Sequence, residues 1–171
     1  MTSKLKVNII ADGGDNAIMT SNGSGTLTLN NAGLKATPSF HAYRSDAWNS
    51  VPNSTWAKVP LNAEEWDTDS AYDHSTNYRF TPQVAGKYYI YGSFPQSVSI
   101  QGIYTAIYKN GSRVRYTQID GTFGGIGIVS GLIELNGSSD YVELYVFLDG
   151  TAGATMGQDA CFLGGYRLVG A

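Results

Sequence analysis

Apolar and polar positions along the chain alternate in short runs, and no stretch carries a helical period. Residues 7–10, 17–19 and 26–29 are brief β-rich runs separated by Asp12-Gly13-Gly14-Asp15 and Asn22-Gly23-Ser24-Gly25. Clusters of glycine, asparagine and aspartate between β-formers mark turns between strands. After Pro38 the runs lengthen. Strands are predicted over 40–44, 55–61, 77–80, 86–94, 98–109, 113–119, 125–135, 141–148 and 161–169, with turns at Lys109-Asn110-Gly111-Ser112 and Leu135-Asn136-Gly137-Ser138. So many short strands with polar turns predict an all-β sandwich or barrel, and a two-sheet jelly-roll sandwich fits the number.

Each long strand has a core face, and several carry rings on the other face as well. Val142, Leu144, Val146 and Leu148 alternate with Tyr141, Glu143, Tyr145 and Phe147. Tyr88, Ile90 and Phe94 alternate with Tyr89, Tyr91 and Ser93, and Ile103, Thr105 and Ile107 with Tyr104, Ala106 and Tyr108. Period-two alternation sends these sets to opposite faces of a sheet. Aligned strands would merge the outward rings into a patch on the order of several hundred Å², more than a soluble monomer ordinarily exposes. The rings therefore point to a subunit interface, with ordinary solvent-facing tyrosine and a ligand surface as the alternatives.

Composition divides the chain in two. All 3 tryptophans and all 12 tyrosines follow Pro38, whereas residues 1–37 are polar and rich in small side chains. Three strands of about four residues bury too little to stand alone, so residues 1–37 read as an arm that needs a neighbour and residues 38–171 as a globular head. A net charge of −3 argues against a nucleic-acid binder held by a basic field. No apolar run approaches the roughly 18 residues of a membrane span, and the first fifteen residues do not form a signal peptide. The single cysteine, Cys161, has no partner for an internal disulfide and reads as a small core residue.

Few residues suggest chemistry. Glu64, Glu65, Asp67 and Asp69, followed by Asp73 and His74, are read as a solvated loop rather than a cation site, because the run lacks the glycine and terminal glutamate of a calcium-binding loop. The glycine-rich run at 121–131 precedes a strand rather than a helix and does not match a nucleotide loop. Close approach of a subunit or a flexible turn explains it better. His41 and His74 sit in no nucleophile motif, so no catalytic residues, metal ligands or cofactors are assigned and no enzyme activity is expected. Asn22, Asn53, Asn110 and Asn136 open N-x-[ST] triplets, read as turns rather than glycan acceptors. Trp48, Trp56 and Trp66 are candidate glycan contacts, with packing against the sandwich as the competing role.

From Phe40 onward a series of short motifs resembles the C1q/TNF-like jelly-roll domain. They are Phe40-His41-Ala42-Tyr43-Arg44, Tyr72-Asp73 with Phe80-Thr81-Pro82, Gly86-Lys87-Tyr88-Tyr89-Ile90, Lys109-Asn110-Gly111, Leu132 to Val142 around Asn136-Gly137, and Phe162-Leu163-Gly164 with Leu168. The glycine and aspartate of the fifth motif, Gly137 and Asp140, are separated by two residues where the family has them adjacent, which leaves that turn open. The resemblance implies a compact homotrimer with aromatic residues of one sheet around its axis. Tyr89 and Tyr91 fall on the matching strand, and Tyr145 and Phe147 are further candidates for the same surface. No collagen-like stalk precedes the head, so a C1q-type defence protein fits poorly.

The arm, with Lys4-Leu5-Lys6-Val7, Asp12-Gly13-Gly14-Asp15 and the run at 22–29, resembles the start of bacteriophage fibre and virion-surface proteins. That resemblance implies a non-enzymatic protein on the virion exterior, made in the host cytoplasm. The arm would attach it to capsid or tail, and its role would be decoration, head fibre or fibre component. A receptor-binding, lectin-like adhesin for host surface glycans is the alternative.

Overall fold

The structure, a computed structural model, describes residues 7–29, 37–96, 101–121, 124–150 and 158–168. The chain separates into two compact units at Thr37 and Pro38. In the N-terminal unit, β1 (Ile9–Ala11), β2 (Ala17–Ser21) and β3 (Leu27–Leu29) form an antiparallel meander. Its turns are made by side chains: the Asp12 carboxylate accepts the Gly14 and Asn16 N–H groups, and the Asn22 amide oxygen accepts those of Ser24 and Thr26. A single sheet this short has no second layer of its own. Val7, Ile9, Ile10, Ile18 and Leu27 are all exposed. Lys4, Leu5 and Lys6 lie outside the described residues.

The second unit is a two-sheet sandwich. Its strands in chain order are β4 (Ser39–Arg44), β5 (Ala57–Lys58), β6 (Ala63–Asp67), β7 (Tyr72–Asp73), β8 (Arg79–Phe80), β9 (Gly86–Pro95), β10 (Gly102–Lys109), β11 (Ser112–Asp120), β12 (Ile126–Leu135), β13 (Val142–Asp149) and β14 (Gln158–Arg167). One sheet runs β12-β9-β14-β4-β6 and the other β11-β10-β13-β8-β7, with β5 also paired to β13. Neighbours far apart in sequence, such as β4 beside β14, mark a jelly roll rather than a meander.

The core lies between the sheets, where alternation placed it. Val142, Leu144, Val146 and Leu148 are fully buried from one side, and Tyr88, Ile90, Phe94 and Leu163 from the other. Phe40 stacks on Phe80 with ring centroids 4.0 Å apart and also on Tyr72. Each fully buried ring or aliphatic side chain contributes about 1.5–3 kcal/mol of transfer free energy. Cys161 is buried as expected, and desolvation pushes its thiol up to about 12.

Three expectations need correction. The acidic run forms a strand, not a loop, because Phe40, His41, Ala42 and Tyr43 of β4 pair with Asp67, Trp66, Glu64 and Ala63 across a bulge. The expected strand at 55–61 shrinks to Ala57–Lys58, since Pro60 cannot donate to the ladder. Gly127, expected in a flexible turn or at a subunit contact, lies within β12 against the opposite sheet, where a Cβ would stand 2.0 Å from the Thr105 hydroxyl oxygen, whereas Gly124 with φ at 75° does serve a turn. Residues 98–100, the expected start of β10, lie outside the described residues.

The turn left open around Gly137 is a side-chain lock. The Asn136 amide oxygen accepts the N–H groups of Ser138, Ser139 and Asp140, and Asp140 accepts the Asn136 N–H at 3.0 Å. Asn110 donates to Asp140 and accepts from the Tyr141 N–H, joining this turn to the β10–β11 hairpin. Asn110 and Asn136 thus act as turn residues.

Candidate functional site

The outer face of the β12-β9-β14-β4-β6 sheet is built in cross-strand rows. Ladder registers place Leu132, Tyr89, Tyr166 and Ser39 in one row. Ser130, Tyr91, Gly164, His41 and Trp66 form the next, and Ile128, Ser93, Phe162, Tyr43 and Ala63 a third. No Lys, Arg, Asp or Glu occurs in these rows. Ile128 is 63% exposed, Leu132 50%, Tyr166 47% and Trp66 43%. These three rows, free of charge and rich in exposed apolar side chains, have the composition of an interface core, bounded by the Lys87–Glu134 pair of the next row and by Glu65 beside His41.

The rings on this face contact one another and hold a fixed relief. Tyr89 lies 5.7 Å from Tyr166 and 6.1 Å from Tyr91, and Tyr91 meets Phe162 edge-on at 6.1 Å. Gly164 makes room for this, since a Cβ there would stand 2.6 Å from the Tyr91 ring. His41 is enclosed by Trp66 and Phe162, each at 5.1 Å, and by Tyr91 at 6.2 Å. Its Nδ1 is buried without a hydrogen-bond partner among the described residues. Nε2 stands 4.0 Å from a Glu65 carboxylate oxygen. Burial lowers the imidazole below its ordinary value, with Glu65 pulling the other way. Burial likewise raises the Tyr91 hydroxyl.

Tyr89 and Tyr91 therefore stand together on this face, but Tyr145 and Phe147 do not share it. They belong to β13 in the other sheet, whose outer face points the opposite way. There Tyr145 stacks on Tyr108 at 3.9 Å, and Phe147 packs against Tyr104 and Trp56. Alternation identified the outward side of each strand correctly, but it carries no information on which sheet a strand joins. The two outward aromatic faces are therefore distinct.

The tryptophans are likewise separate. Trp48 packs edge-on to core residue Phe94. Trp56 closes over Tyr104, Tyr108 and Phe147, with the Arg113 guanidinium 5.1 Å from its ring. Trp66 belongs to the charge-free face beside His41. The structure does not gather them into one sugar-stacking platform.

Several residues of the charge-free face were missed by sequence reasoning: His41, Phe162, Tyr166, Ile126, Ile128 and Leu132. A signal existed for the last three. They alternate with Gly127, Val129, Gly131 and Ile133, so β12 is apolar on both sides just as β9 is. Among the described residues, no group of three His, Cys, Asp or Glu side chains is placed to hold a metal ion.

Neither a family model nor a curated protein matches this sequence. Solved structures do match it in fold. A crystal structure of murine APRIL at pH 8.0 superposes with a TM-score of 0.62 at 12% identity, covering 77% of this chain and 99% of that one. The globular domain of zebrafish complement 1qA protein gives 0.54 at 18% identity, covering 77% and 97%. The Eiger TNF structure from S. frugiperda gives 0.57 at 12% identity, covering 79% and 93%. The chain therefore carries a TNF/C1q-like jelly-roll fold.

Proposed function

We propose that this protein is a non-enzymatic, homotrimeric component of a bacteriophage virion surface, acting as a decoration protein, head fibre or fibre element. Its heads assemble through the charge-free face of the β12-β9-β14-β4-β6 sheet. That face is the observation that carries the reading, because three rows of rings and aliphatic side chains without a charge are costly to leave in water. In a closed ring of three, each contact is heterologous. The aliphatic β12 end of one protomer's face then meets the aromatic end of its neighbour's.

The N-terminal unit attaches the trimer to capsid or tail on the virion exterior. Support comes from its exposed Val7, Ile9, Ile10, Ile18 and Leu27, which need a covering layer, and from the likeness of its sequence to phage fibre starts. Three arms joined through their heads bind with avidity, so each contact can be weak. A tryptophan-lined glycan adhesin has less support, since Trp48, Trp56 and Trp66 lie apart.

Two experiments test the two parts separately. Light scattering on the purified chain reads the assembly state. Labelled antibody on intact particles reads the location: decoration of capsid or tail vertices supports the virion role, and unlabelled particles refute it.

A further inference from the structure

At the β7–β8 end of the other sheet lies a polar hollow of about 370 Å³, bordered by Ser70, Asp73, Arg79, Thr81, Gln83 and Ser138. Its volume falls at the low end of small-molecule sites, about 300–1,000 Å³. The charges around it are arranged unusually. Asp73 and Arg79 are direct cross-strand partners, a placement that ordinarily produces an ion pair. Here the carboxylate is filled by its own loop: it accepts the N–H groups of Ser75, Thr76 and Asn77, the Ser75 hydroxyl and the Asn77 amide. Arg79 turns instead to the Tyr141 ring, 4.4 Å from its centroid. Among the described residues it has no carboxylate partner.

The remaining polar groups of the hollow are also unspent. The Ser70 and Thr81 hydroxyls and the Gln83 amide make no hydrogen bond among the described residues. The Ser138 hydroxyl donates to Asn136 and keeps its own lone pairs. Ser70 at φ 52° and Tyr78 at φ 50° hold left-handed backbone beside the hollow, a cost that non-glycine residues carry only where the surroundings enforce it.

We propose that this hollow binds an acidic saccharide unit, a uronate-type sugar ring. The planar fork of Arg79 takes the carboxylate in two parallel hydrogen bonds. Ser70, Thr81, Gln83 and Ser138 serve the ring hydroxyls. A polyhydroxylated ligand matches a lining of hydroxyls and amides, and the anionic group answers the hollow's cation, Arg79. Because Asp73 is already saturated with donors, it does not compete for Arg79. The inference concerns a single protomer and stands independently of trimerisation and of the virion.

Saturation-transfer NMR and calorimetric titration of the full-length protein with glucuronate and galacturonate test the site, with galactose and acetate as controls. The uronates are expected to bind, and galactose and acetate at least about tenfold more weakly, since each lacks one half of the recognition. Arg79→Ala is expected to weaken uronate binding by about tenfold or more, and Gln83→Ala by a few-fold. Arg79→Lys, which keeps the charge and loses the fork, should fall between wild type and Arg79→Ala. Gln83 is exposed and makes no hydrogen bond among the described residues, so Gln83→Ala keeps the test valid should an Arg79 variant misfold. No saturation transfer from either uronate overturns the proposal. So does uronate affinity unchanged in Arg79→Ala and Gln83→Ala, or acetate competing as well as the uronates.

Discussion

His41 and Trp66 face each other across the β4–β6 pair, with ring centroids 5.1 Å apart and planes 25° from parallel. The pair sits in the middle aromatic row of the β12-β9-β14-β4-β6 face, and the groups around His41 are Glu65 from the same strand as Trp66, Tyr91 from β9 and Phe162 from β14. Among the described residues, Glu65 is the one charged group paired with that ring. The imidazole is thus held mainly by aromatic surfaces, with Nδ1 unpartnered.

This makes His41 a source of acid sensitivity. Burial lowers its folded-state value below the unfolded one, so the unfolded chain binds the proton first as pH falls. The contribution of neutral His41 is complete above roughly pH 6.5 and is lost as pH drops through the lowered folded-state value. Thermal midpoints measured between about pH 7.5 and 5 should decline more steeply for the wild type than for His41→Phe, which keeps the stacking without the proton site. Equal slopes would remove His41 from the account.

Asp73 predicts a second window at lower pH. The N–H group of Thr76 and the neighbouring donors of the same loop hold its carboxyl well below the usual carboxylate range. Its contribution is therefore present above about pH 4 and lost as pH falls below that value. Asp73→Ala should lower the thermal midpoint at neutral pH, and the gap to wild type should narrow on acidification below about pH 4. A gap that stays constant with pH would contradict the assignment.

Thr105 predicts a gain. Its hydroxyl is buried without a partner among the described residues and lies against Gly127. Replacing an orphaned hydroxyl by a methyl removes a desolvation cost, so Thr105→Val should stabilise by about 1 kcal/mol. That corresponds to a rise of about 2–4 °C in the midpoint for a chain of this size. Calorimetry showing a loss would mean that the added methyl strains the close approach of β12.

Gly137 predicts a loss. It holds φ at 71°, and a Cβ there would lie 2.2 Å from the Ala85 backbone nitrogen. Both strain and collision follow, so Gly137→Ala should cost about 3 kcal/mol or more. Denaturant unfolding reads this directly, and a change under about 1 kcal/mol would show that the Asn136–Asp140 turn adapts.

The core and the outward aromatic sides were legible because strand alternation is a local property. Val142 to Leu148 and Tyr88 to Phe94 could be sorted into two faces residue by residue. Sheet membership is not local: β9 pairs with β12 and β14, whereas β13 pairs with β10 and β8. Tyr89 and Tyr145 therefore look alike in sequence and end on opposite sides of the molecule. Glu64, Glu65, Trp66 and Asp67 have weak strand character, and only the ladder with β4 makes them a strand. The Arg79 hollow was invisible for the same reason, since it depends on which donors fill Asp73. The C1q/TNF-like motifs compensated in part, because they mark turns and strand starts whose order fixes the topology.

The central claim is that these heads associate through the Tyr91 face. Light scattering on purified wild type and Tyr91→Glu, at micromolar concentration, tests it most directly. The wild type is expected to show a mass three times the 18.3 kDa of the chain. Tyr91→Glu is expected to dissociate or precipitate, because burying three unpaired carboxylates costs several kcal/mol each. A wild type that runs as a monomer, or a Tyr91→Glu variant that stays a soluble trimer, would contradict it.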